Sequence, residues 1–269
     1  MRAVPGMKTL RRALRDPLCA SALALALLVL GMTRLEPVFA VLYPQLERPM
    51  YRQQGFVQLT LEHLALVAAS SAISFALGLA IGIAGTRRAG REFRPLLESV
   101  VAIAQTVPPV AVLAIAVPAL GFGALPALVA LALYGLLPIV QATTSGLEAI
   151  EPPVREAAAG LGLGAWQVLW QVELPLAWPV IGGGLRTSVA INVGTATVAS
   201  TVGAQTLGTP IIVGLSGFNT AYVVQGALVA ALLAVVVDQA LARLPGLRAR
   251  RRRGAAASAP SGVTGRSPR

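Results

Sequence analysis

Six apolar stretches follow one another along the chain, at residues 17–33, 57–85, 96–120, 124–142, 177–202 and 221–241, with shorter polar or glycine- and proline-rich segments between them. Roughly 20 apolar residues rising 1.5 Å each cross a 30 Å hydrocarbon core. The pattern therefore predicts an all-α membrane protein with about six transmembrane helices. The first stretch, at 17 residues, is at the short limit. Behind its basic leader it reads either as a retained span or as a signal peptide, with Val38-Phe39-Ala40 as a poor cleavage site. Both readings put the next residues outside. Pro37, Pro44 and Pro49 argue against a long helix in residues 34–56.

Inside the spans, polar and small residues mark places to watch. Thr60 can cap the second span, with Glu62 in its first turn and His63 at the interface. Gly78 and Gly82 form a small-xxx-small pair that lets another helix approach closely. Pro108, Pro109 and Pro118 make the third span either a kinked helix or a broken one facing a cavity. Ser188, Asn192 and Thr195 share one face of the fifth span, which either packs a neighbouring helix or lines a solute path. Residues 203–220 carry no charge and predict an irregular or re-entrant element at the outer surface. Asp238, near the inner end of the sixth span, is expected to pair with Arg243.

Composition narrows the classes. The chain is 55% hydrophobic and 12% charged, half the charge of a soluble domain. The net charge of +11 could suggest nucleic acid, but the arginines flank apolar runs and aromatics are only 5%, so that reading is set aside. Single residues of three kinds, Cys19, His63 and Lys8, allow no intrachain disulfide, no cysteine metal site and no catalytic constellation. With Lys8 in the leader, no phosphate-binding loop with its lysine can form in a folded domain. The mid-membrane carboxylates common in ion-coupled secondary transporters, the alternative of another class, are also missing from the pattern. Of the 22 basic residues, all but Arg34, Arg48 and Arg52 fall on one side of the six-span arrangement. Positive residues stay inside, so both termini and the stretch at 148–176 are cytoplasmic. The tail from Arg248 is too polar to form a core and is expected to be disordered.

That cytoplasmic stretch has its own pattern. Pro152 and Pro153 suit a first helical turn, and residues 154–161 can form about two turns with Glu156 near the positive end. Gly162 and Gly164 break the run. From Ala165 a second short helix puts Trp166, Leu169 and Trp170 on one face, with Glu173 on the same stripe, and Pro175 is expected to end it. Glu156, Ala157, Ala158, Gly162, Val172, Leu174 and Pro175 match the spacing EAA-x3-G-x9-I-x-LP, with valine in the isoleucine position. This loop resembles the hallmark loop of the membrane subunits of binding-protein-dependent ABC importers of type I.

The resemblance covers about residues 57–243. TLEHLALV from Thr60, QTVPPVAVLA from Gln105 and the run ending at Ser200 are similar to the branch that imports glycine betaine, choline, carnitine and related solutes. Many members of that branch carry GAGGLG after the fifth span; Gln205 and Thr206 depart from it here, which points to a subgroup. The resemblance implies a leader, first span and external segment at 1–56, a transmembrane domain at 57–243, and a basic tail at 244–269. It also implies a multi-pass permease of the bacterial inner membrane, surrounded by lipid. Its expected partners are a cytoplasmic ATP-binding subunit, a second permease chain, the same or different, and an extracytoplasmic solute-binding protein. ATP and magnesium would be used by the ATPase subunit, with no cofactor on this chain. An importer permease for methionine or another amino acid is the alternative cargo reading.

Overall fold

The computed structural model describes residues 16–87, 90, 92 and 94–243. The leader before Asp16 and the tail expected to be disordered lie outside the described residues. Every regular element among the described residues is helical. In chain order they are α1 (Pro17–Gly31), α2 (Glu36–Leu42), α3 (Phe56–Thr86), α4 (Arg94–Thr106), α5 (Pro109–Leu120) and α6 (Ala124–Glu148). Then come α7 (Pro152–Gly160), α8 (Ala165–Val168), α9 (Leu174–Thr195), α10 (Thr209–Ser216) and α11 (Thr220–Leu241).

The first span is longer than its apolar run suggests. Asp16 caps α1 by accepting from Leu18 N–H at 3.1 Å, and a 3-10 turn at Met32–Leu35 carries the chain into α2. Pro37 sits in the first turn of α2, where a missing N–H leaves no helical bond unmade, so this proline does not stop the chain. Helix α3 also begins earlier than expected. Thr60 does not cap it; it lies inside, donating its hydroxyl to the carbonyl of Phe56 at 2.7 Å.

Among the described residues, four helical segments are long and apolar enough to cross a membrane: Pro17–Leu42, Phe56–Thr86, Ala124–Glu148 and Thr220–Leu241. The third expected span is split into α4 and α5 at Val107-Pro108, because a residue before proline is pushed out of the helical region. The carbonyl of Val107 there accepts from the Tyr134 hydroxyl of α6, so a neighbouring helix satisfies the break. The fifth expected span is the 22-residue α9, whose apolar character is diluted by Arg186, Ser188 and Asn192. The outward faces carry apolar side chains such as Leu30, Val41 and Ile115, as lipid contact requires.

Helix α6 is central, with α3 and α9 packed against it. Glycines set the spacing. A Cβ on Gly78 would lie 2.7 Å from Ile139 Cγ2, one on Gly82 would lie 2.5 Å from Thr143 Cβ, and one on Gly184 would lie 2.3 Å from Ala142 Cβ. The glycine pair read from the sequence is thus a true contact face.

Polar residues then tie the helices together, and two pairings differ from expectation. His63 is fully buried, not interfacial. Its Nε2 donates to the carbonyl of Val193 at 3.1 Å, and its Nδ1 accepts from Leu207 N–H at 3.4 Å. Helix α9 tightens at that point, so Thr197 N–H bonds Gly194 instead of Val193. Asp238 pairs with Arg186 of α9, both nitrogen–oxygen distances being 2.6 Å, and not with Arg243. Arg243 turns instead to Asp16, joining the end of α11 to the start of α1. A helical ladder shows which residues share a face; which neighbouring helix comes near is a tertiary fact.

Candidate functional site

The stretch at 148–176 forms an elbow at the ends of α6 and α9. Pro152 opens α7, and Leu161 N–H closes it on the carbonyl of Ala157 at 3.1 Å. Gly162 follows with φ +83°, a left-handed conformation that glycine adopts without the Cβ penalty. The chain then re-enters helix at α8, where Gln167 Oε1 accepts from Gly164 N–H at 2.9 Å.

Pro175 does not end the second helix. Residues Leu169–Glu173 form a π turn that leads directly into α9, so α8, the π turn and α9 run on without interruption. Pro175 falls in the first turn of α9, and the wider π turn accommodates the missing donor. The Trp face also splits. Trp166 and Trp170 are exposed and meet edge-to-face with centroids 5.6 Å apart, while Leu169 and Glu173 point inward.

Glu173 is the hub of the elbow and is only 2% exposed. Its Oε2 accepts from Arg87 Nη2 at 2.6 Å and its Oε1 from Arg155 Nε at 2.7 Å. Arg155 also donates to the carbonyls of Leu147 at 2.6 Å and Ile150 at 3.2 Å, which satisfies the end of α6. One side chain thus binds α7 to the ends of α6 and the π turn. Burial works against charge on Glu173, but the hydrogen bonds and charges of both arginines outweigh it and hold the carboxyl below its ordinary value. A cavity of about 600 Å³ beside these groups is lined by Thr86, Arg87, Glu148, Ile150, Pro152, Arg155 and Glu173.

The motif residues take distinct positions in this frame. Glu156 and Ala157 are exposed on α7, Ala158 is buried, Val172 and Leu174 are half-buried, and Pro175 is exposed. Glu156 lies beyond the first turn of α7, so it does not cap the helix. Gly162 is exposed, and an added Cβ there meets nothing within 4 Å in this chain; its φ, not crowding within the chain, is what demands glycine. Sequence reasoning missed Arg87, Arg155 and Glu173 as a set. The available signal was that charges are sparse, and two of these three lie within the matched loop.

Among the span residues, Ser188 and Asn192 are fully buried and Thr195 is half-buried. Asn192 Nδ2 donates to Ser70 Oγ at 3.2 Å and Ser71 Oγ at 3.0 Å, the contacts of a packed helix pair. At the end of α9 away from the elbow, Val198–Val202 forms a 3-10 turn, Gly203 turns the chain with φ +85°, and α10 packs on α11. Thr206 is buried and its hydroxyl donates to the carbonyl of Ala196 at 2.9 Å while accepting from Gly208 N–H at 3.0 Å. One of the two residues that depart from the GAGGLG pattern, Thr206, therefore pins this loop.

Residues 74–245 match the family described as the binding-protein-dependent transport system inner membrane component. The chain is 41% identical over 197 residues to the osmoprotectant import permease protein OsmY of Salmonella typhimurium, covering 73% of this chain and 84% of that protein. It is 36% identical over 181 residues to the glycine betaine/carnitine/choline transport system permease protein OpuCB of Bacillus subtilis, covering 67% and 82%. Among solved structures, an inward-facing conformation of the MetNI methionine ABC transporter aligns with a TM-score of 0.63 and 23% identity, over 72% of this chain and 94% of that one.

Proposed function

The chain belongs to the family of binding-protein-dependent transport system inner membrane components, and on that premise we propose that it passes quaternary ammonium osmoprotectants, such as glycine betaine and choline, through the membrane. It is a multi-pass permease subunit of an ABC importer in the inner membrane. The observation that carries the solute reading is the likeness, over two thirds or more of the chain, to permeases named for osmoprotectants, glycine betaine, carnitine and choline. The methionine transporter shares the fold at 23% identity and so does not bear on cargo.

In this reading the elbow seats in a groove of a cytoplasmic ATP-binding subunit, which binds ATP and magnesium and hydrolyses the nucleotide. Exposed Glu156, Ala157, Leu161 and Trp166 supply the docking surface, and Glu173 with its two arginines passes the movement to α6 and α9. A second permease chain completes the path. The outer loop at 203–220 faces an extracytoplasmic solute-binding protein, whose aromatic residues would hold the cation. Uptake of labelled glycine betaine and choline at high salt, in cells with and without this gene, tests the cargo. Equal uptake of both solutes in the two strains would favour an amino-acid importer.

Gly162→Arg tests the elbow. A side chain at φ +83° costs about 1–2 kcal/mol, too little to unfold the protein, but the arginine would project from the docking surface. Membrane levels should stay near normal while uptake falls by about tenfold or more. Normal ATP-dependent uptake by this variant would remove the coupling role from the elbow.

A further inference from the structure

A second cavity of about 600 Å³ lies at the outer ends of α3 and α6, beside the turn that follows α9. Its walls are mainly apolar, with Leu66, Ala69, Leu125 and Leu128 among them. The polar side chains in its lining are Glu62 and Gln205, and Glu62 is the one ionisable group there. Gln58 Nε2 donates to Glu62 Oε1 at 2.8 Å from one turn earlier in α3. Gln205 belongs to the turn held by Gly203 and Thr206, so its place is set by the pinned loop.

This chemistry suits one kind of occupant. A trimethylammonium group has no N–H to donate, so hydrogen bonds cannot hold it. It needs apolar surface for its methyl groups and a nearby negative charge for its cation. The cavity supplies both, and the Gln205 amide can donate to the carboxylate or hydroxyl at the other end of such a solute. We propose that this outer cavity is a transit site for a small quaternary ammonium solute, with Glu62 selecting the cation and Gln205 its polar end. The inference rests on the cargo reading above. Because no aromatic ring lines the cavity, the hold is weak, as release into a path requires.

The test uses the complete importer, with its ATPase and solute-binding subunits, and labelled choline and glycine betaine. Glu62→Gln should lower the maximal rate for choline roughly tenfold, the loss of one charge-assisted contact, at equal membrane level and unchanged KM. Gln58→Ala, which breaks the bond but keeps the carboxylate, should stay within about twofold of the unaltered protein, and Glu62→Asp, which keeps the charge on a shorter side chain, should lose less than Glu62→Gln. Gln205→Ala should slow glycine betaine more than Glu62→Asp does. Unchanged rates for Glu62→Gln would overturn the site, as would equal losses for Gln58→Ala or Glu62→Asp. If the unaltered importer takes up neither solute, the cargo reading fails first and this inference goes with it; variant-only results leave the cargo reading standing.

Discussion

Replacing Glu173 by alanine is expected to cost the folded protein about 3 kcal/mol and to abolish transport. The carboxylate is 2% exposed and accepts from Arg87 at 2.6 Å and Arg155 at 2.7 Å. Without it, two guanidinium groups face each other beside a buried surface. Their own exposure, 40% for Arg87 and 36% for Arg155, lets water reach them and keeps the cost near the lower end of the usual range of about 3–5 kcal/mol. Thermal unfolding in detergent micelles should show a clearly lower midpoint for Glu173→Ala and for Glu173→Gln. A midpoint equal to that of the unaltered protein would show that the hub is dispensable.

The same residue sets a pH dependence. Burial raises the carboxyl, but the two arginines lower it further, so its pKa in the folded protein is below its unfolded value. Stability from this group is therefore complete above the ordinary carboxylate range and lost as pH falls through the depressed folded value. The unaltered protein should lose stability on acidification below about pH 4 more steeply than Glu173→Gln.

Gly208→Ala is expected to be as damaging for a different reason. Its φ of −74° is ordinary, so the backbone itself would accept alanine. Space is what fails. An added Cβ would lie 1.7 Å from the carbonyl oxygen of Thr197 and 2.5 Å from its carbonyl carbon, both backbone atoms with no rotamer to change. Relief requires moving the turn, which breaks the bonds of Thr206 to Ala196 and of Leu207 to His63. The cost should reach or exceed the upper end of the about 1–3 kcal/mol seen for overpacking. Gly183→Ala, where a Cβ meets nothing within 4 Å, is the control and should be silent. Protease digestion from the outer side should cut the 203–220 loop of Gly208→Ala faster than that of the control, with uptake lost. Equal protection and normal uptake would contradict the crowding argument.

What could be read in the sequence follows from the range of each interaction. Apolar runs locate the helices because burial in lipid acts along each segment by itself. The Gly78–Gly82 contact was readable because both glycines lie on one helix face, one turn apart. The matched loop was readable because its spacing is local. Asp238 was assigned to Arg243, five residues away, when its partner is Arg186, because that choice is made by the packing of α9 against α11. His63 was placed at an interface because nothing near it in sequence shows that Val193 and Leu207 come around it. Pro175 reads as a stop in the sequence because a π turn, which admits a proline, leaves no mark in a hydrophobic pattern.

Because the π turn keeps Ala165 to Thr195 in one continuous helical segment, its path is about 45 Å long, with Pro179 as an internal gap in its hydrogen-bond ladder. It approaches α6 closely at Gly184, where Ala142 stands 2.3 Å from the position of a missing Cβ. If the segment tilts about that contact as a unit, the arm toward Ala165 is about 29 Å and the arm toward Thr195 about 17 Å. The Thr195 end then moves in the opposite sense, through about 0.6 of the distance travelled by the Ala165 end. The Thr195 end carries the turn bonded to His63 and Thr206. Such a tilt would be geared down, trading travel at the elbow for force at the far end of the segment.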